Sequence, residues 1–131
     1  MSNIDTVKQI YEAFGKGDVP TILEKLAENV EWETQIPVEG VPWLQPRRGR
    51  GNIAGFFESL APLEIKRFEP QTFFESGDKV FVLIALDIAT QGKEYSFPLE
   101  GHLWEFNGGG QVAKFDHVID TAQMWRAANG R

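Results

Sequence analysis

The chain has 131 residues, enough for one domain with a single sizeable core, and its make-up of 42% hydrophobic, 12% aromatic and 24% charged residues is that of a folded globular protein. Nineteen acidic against thirteen basic residues give a net charge of -6, which repels nucleic-acid phosphates and anionic membrane surfaces, so neither is expected as a partner. The absence of cysteine excludes disulfides and thiolate chemistry.

The opening MSNIDTVKQIYEAF reads as a charged amphipathic helix rather than a signal sequence, with Val7, Ile10, Tyr11 and Phe14 on one face behind a Ser2-x-x-Asp5 cap. The longest apolar run, VFVLIAL, is far short of the roughly 20 residues that cross a bilayer, and a cytoplasmic location is expected. GKGD breaks the chain; Asp18 then caps a shorter second helix with Pro20 in its first turn. VEWET is a first strand, in which Val30, Trp32 and Thr34 point one way and Glu31 and Glu33 the other. Residues 35–51, rich in proline and glycine but containing Val41, Trp43 and Leu44, suggest a lid. NIAGFFESLA places Ile53, Phe56, Phe57 and Leu60 on one face of a third helix.

Beyond residue 62 the period shortens to two, with turn signals at ESGDK, TQGKE and NGGGQ. Four consecutive strands, near 66–75, 79–90, 94–106 and 111–119, predict an antiparallel meander after a helical start. That is an α+β domain: a curved antiparallel sheet packed with three N-terminal helices around a cone-shaped pocket, residues 1–131 as one unit. The second of these strands is apolar on both faces, with Val82, Ile84, Leu86 and Ile88 against Phe81, Leu83 and Ala85. One face therefore needs cover, and a homodimer through the outer sheet face is expected.

Both histidines fall in the last two strands. Alternation puts Glu100, His102, Trp104 and Phe106 on one face of the third strand, and Phe115, His117 and Ile119 on one face of the fourth, opposite Asp116. The hairpin brings the two segments side by side without fixing their register to one residue. Two readings stand at this level: core histidines satisfied by backbone or a carboxylate, or a pair able to move a proton at neutral pH. Arg47, Arg48 and Arg50 read as a solvated face, Asp120 as the N-cap of TAQMWRAA, and NGGG as a hairpin. Neither H-E-x-x-H nor G-x-S-x-G occurs, and two histidines with Glu100 make at best a weak metal site, so no metal and no cofactor is expected.

The segments VKQIYEAFGKGDVPTILEKLAENVEWE, RGRGNIAGFFESL, FFESGDKVFVLI and TQGKEYSFPLEGHLWEFNGGGQVAKFDHVIDTA resemble the SnoaL-like branch of the nuclear transport factor two-like superfamily, which includes ketosteroid isomerases, polyketide cyclases and limonene epoxide hydrolases. By that resemblance Tyr11 stands where ketosteroid isomerase has an oxyanion-donating tyrosine, and His102 where it has a protonated aspartic acid. The isomerase base falls at or beside Trp32, and Phe57 replaces a supporting tyrosine; both departures argue against steroid isomerisation. His117 occupies an inward acid slot of the epoxide hydrolases, and the cyclases' histidine–aspartate pair is matched by His102 with Asp116 or His117. The resemblance implies a cofactor-independent enzyme moving a proton next to a carbonyl, by isomerisation or aldol-type cyclisation. His117 is the expected base, with His102 and Tyr11 donating to the enolate oxygen. Glu100 is expected to hold His102 protonated and burial to hold His117 neutral. Phe14, Trp32, Trp43, Phe56 and Phe57 would hold an apolar or carbonyl-bearing small molecule, together with Glu100, Trp104, Phe115 and Ile119. The rivals are a binding protein with the same pocket and a dimerisation module.

Overall fold

A computed structural model describes residues 2–131. The first helix, α1 (Asn3–Gly15), begins where Ser2 accepts a hydrogen bond from the Asp5 amide, and it buries Val7, Ile10 and Ala13. In α2 (Val19–Glu24) Asp18 is the cap and Pro20 sits in the first turn, where its missing N–H costs nothing. The first strand, β1 (Leu26–Trp32), starts earlier than the alternation in VEWET suggests. It also stops earlier, because Glu33 takes a left-handed backbone (φ 60°) that a strand cannot continue through.

Residues 35–51 are tied to the body of the fold through buried Val41, Trp43 and Leu44. A 3-10 turn (Pro42–Leu44) buries Trp43 and Leu44, β2 (Arg47–Arg48) pairs with β1, and a second turn spans Arg50–Asn52. Gln45 Nε2 donates to the Val38 and Val41 carbonyls, and Asn129 Nδ2 to that of Gly40. Gly40 sits at φ 85°, so close to Trp125 that an added Cβ would lie 2.8 Å from the indole nitrogen. Only glycine meets both demands.

After α3 (Ala54–Ser59) come β3 (Glu64–Ser76), β4 (Lys79–Thr90), β5 (Lys93–Phe106) and β6 (Val112–Val118), then α4 (Thr121–Asn129) capped by Asp120. The meander pairs as expected, and the sheet order is β2-β1-β6-β5-β4-β3. One pair departs from an antiparallel sheet: β1 runs parallel to β6, Trp32 opposite Phe115. Interruptions in the β3/β4 and β4/β5 ladders bend the sheet around the helices. One of them sets up the site. Phe97 pairs with Leu86 but Glu100 with Ile84, so Pro98 and Leu99 together oppose Ala85. This bulge shifts the inward parity of β5 from Tyr95 and Phe97 to Glu100, His102, Trp104 and Phe106, all of them buried. Among the described residues no helix is long and apolar enough to cross a membrane.

Candidate functional site

At the inner end of the cone, β5 and β6 place His102 directly opposite His117, the register that alternation leaves open. Their rings meet edge to face, centroids 4.7 Å apart at 87°. On the α1 side, Tyr11 Oη lies 2.8 Å from His102 Nδ1 and accepts a hydrogen bond from Trp104 Nε1 at 3.0 Å. Glu100 Oε1 lies between the two rings, 3.2 Å from His102 Nε2 and 3.5 Å from His117 Nε2.

The far side of His117 carries a group that alternation misplaces. Glu33, expected on the outer face with Glu31, turns inward through its left-handed backbone and is 1% exposed. Its Oε1 accepts from the His117 amide at 3.0 Å and lies 2.6 Å from Nδ1. The Glu33 amide donates to the Phe115 carbonyl at 2.8 Å, which locks the turn. Nothing local announces this: glutamate lacks the short polar side chain that favours left-handed backbone in Asn and Asp.

Glu33 reverses the expected order of the histidine pKa values. For His102, burial is the largest influence and takes the pKa below the ordinary imidazole value, Glu100 only partly opposing it. For His117, burial also pushes down, but the charge and hydrogen bond of Glu33, helped by Glu100 and Asp116, more than offset it and the pKa is raised. Burial pushes Glu100 up, and the histidines outweigh it, so that its carboxyl is held below the usual range. Burial drives the Tyr11 phenol well above its ordinary value, the Trp104 bond opposing. Of the two rings, His117 is therefore the more readily protonated and His102 the one held neutral. The Tyr11 hydroxyl is engaged by His102 Nδ1 on one side and Trp104 Nε1 on the other, so it serves His102 rather than a ligand oxygen.

Tyr11, Glu100, His102 and His117 line a cavity of about 80 Å³ whose remaining wall is apolar and includes Phe14, Trp32, Trp43, Phe56, Phe57, Trp104 and Phe115. An outer depression of about 250 Å³ between α1, α2 and α3 adjoins it and shares Phe14, Phe57 and Leu60 with its wall. Two expected residues are elsewhere. Ile119 lies just beyond β6, half-buried against the core and outside the cavity wall. Asp116 points to the other face of β6, where its carboxylate accepts from the Gln35 amide at 3.1 Å and from Gln35 Nε2 at 2.9 Å. It anchors the segment after Glu33 and does not meet His102. Arg47, Arg48 and Arg50 also lie outside the cavity wall; Arg48 pairs with Glu31 at the surface and Arg50 Nε donates to the Leu26 carbonyl.

The fold has known counterparts. An NTF2-like protein of unknown function from Burkholderia pseudomallei is 28% identical, with 98% of each chain covered and a TM-score of 0.83. TerC, co-crystallised with polyporic acid, is 23% identical over 97% of this chain and 98% of its own, TM-score 0.80. A protein from Mesorhizobium loti, named provisionally as a SnoaL-like polyketide cyclase, is 14% identical over 91% of this chain and 100% of its own, TM-score 0.71. None of the curated proteins matches the chain. The model of the SnoaL-like domain matches residues 7–115, from the first helix through to Phe115 on the cavity wall, and the protein belongs to that family.

Proposed function

We propose that the protein is a small enzyme that, without a cofactor, moves a proton next to a carbonyl group of a neutral, largely apolar molecule, as in isomerisation or aldol-type cyclisation. The observation that carries this reading is the single carboxylate oxygen, Glu100 Oε1, set between the Nε2 atoms of two buried histidines at the closed end of an aromatic cavity. Glu100 Oε2 has no hydrogen-bond partner, which supports Glu100, rather than His117, as the proton acceptor. His117, whose pKa Glu33 raises, is the donor to the oxygen on which negative charge develops. His102 orients Glu100, and the Trp104–Tyr11 pair orients His102. No Lys or Arg lines the cavity, which disfavours anionic substrates and suits a neutral ketone.

Deuterium uptake at the carbon next to the carbonyl, measured by mass spectrometry on 2-tetralone and 1-indanone in D₂O, tests this. Native protein is expected to speed uptake above the buffer rate, and Glu100→Gln to lower that acceleration about 100-fold or more, the scale of a lost general base. Ketones that quench tryptophan fluorescence yet exchange no faster than in buffer would assign the cavity to ligand binding alone, the reading favoured by its almost wholly apolar wall. We further propose a homodimer through the outer sheet face, where Phe74, Leu99 and Val118 stand 52%, 71% and 44% exposed.

A further inference from the structure

We propose that Glu100, His102 and His117 together form a binding site for a divalent transition-metal ion of the imidazole-preferring kind, such as Zn²⁺ or Co²⁺. One ligand atom from each of the three lies within 4.8 Å of the others, and all three residues are more than nine-tenths buried. Tetrahedral zinc, about 2.0–2.1 Å from each donor, sets donors roughly 3.3 Å apart. The carboxylate oxygen stands 3.2 Å and 3.5 Å from the two ring nitrogens.

Three further features point to an ion. His102 Nε2 and Glu100 Oε2 have no hydrogen-bond partner: Nε2 is close to Oε1, but the geometry is not that of a hydrogen bond. Buried polar atoms left in this state mark a place where a water or ion belongs. Each histidine is also anchored through Nδ1, His117 to Glu33 Oε1 and His102 to Tyr11 Oη, so both present the same nitrogen, Nε2, toward Glu100. An oxygen behind each imidazole is the outer support that fixes metal-bound histidines. Lastly, Glu33 and Glu100 are two buried carboxylates whose only cationic partners, among the described residues, are the two histidines. With both rings neutral the cluster carries a formal charge of about -2, which one divalent ion cancels. The cavity side stays open for a water or a ligand oxygen.

The ion and the proton are alternative occupants. A metal takes both Nε2 lone pairs and a Glu100 oxygen, so the loaded form cannot carry out the proton transfer proposed above, and metal binding goes beyond that reading. The test needs no substrate. Untagged protein, dialysed against a chelator, is titrated with Co²⁺ while visible ligand-field absorption is followed, and with Zn²⁺ in a calorimeter. The chain has two histidines and no cysteine, so no other imidazole or thiolate site competes. One equivalent is expected to bind with a Kd below about 1 μM, His102→Asn to weaken it at least 100-fold, and Glu33→Gln, which keeps all three ligands, about 10- to 100-fold. Absence of binding to native protein, or the same Kd in variants whose circular dichroism matches the native spectrum, overturns the proposal. Neither result bears on deuterium uptake by metal-free protein, so the two readings fail separately.

Discussion

Replacing Glu33 by Gln isolates the charge that sets the protonation of His117. The backbone demand at φ 60° is unchanged, since both residues carry the same Cβ, and the volume is nearly the same. The glutamine carbonyl can still accept from the His117 amide and Nδ1, the two bonds at 3.0 Å and 2.6 Å. Removing one partner of a buried ion pair outright costs about 3–5 kcal/mol. Keeping both acceptor contacts but losing their charge reduces each from about 1.5–3 kcal/mol to about 0.5–1.5 kcal/mol. The expected loss is therefore about 2 kcal/mol, roughly 8 °C in Tm for a chain of this size. The sign with pH follows from the raised pKa of His117. A histidine whose folded pKa is raised contributes stability that is fully present below its unfolded value, about 6.5, and is lost as pH rises through the folded one. The gap between native and Glu33→Gln protein should therefore be widest near pH 6 and narrow toward pH 9. Urea unfolding followed by tryptophan fluorescence across that range measures it, and ¹⁵N spectra of the two imidazoles report the His117 proton in metal-free protein. A variant within about 0.5 kcal/mol of native at pH 6, with His117 still charged over the native range, would refute the reasoning.

Tyr11→Phe should cost about 1–3 kcal/mol in the same unfolding assay, because the buried Trp104 N–H loses its acceptor; native stability would show that the contact contributes nothing. Gly101→Ala should destabilise by about 1–3 kcal/mol, since the new Cβ would lie 2.6 Å from Phe81 Cζ and 3.1 Å from the Val118 carbonyl oxygen. An unchanged midpoint would mean that Phe81 swings aside freely. Light scattering at micromolar concentration should give twice 14.8 kDa, and Leu99→Glu should return the chain to monomer; a native monomer removes the dimer.

What could be read from the sequence was what depends on neighbours along the chain. The 3.6 period of Val7, Ile10, Tyr11 and Phe14, the caps at Ser2, Asp18 and Asp120, and the β4–β5 turn follow from local stereochemistry. In that turn Gln91 and Gly92 both take positive φ, the geometry that closes a two-residue hairpin. Alternation likewise put His102, Trp104, Phe115 and His117 on the inner face, because a strand sends every second side chain the same way. The chemistry of the site was decided elsewhere. The parallel pairing of β1 with β6 joins segments some eighty residues apart, and it carries Glu33 to the end of β1, where one left-handed residue turns a carboxylate from the outer face to His117. The same assembly sets His102 opposite His117, Glu100 between them and Asp116 away from both. The inverted histidine pKa values follow from those contacts. Burial acts downward on both rings, and only the ring that meets a second carboxylate in three dimensions is raised, which no pattern within either strand encodes.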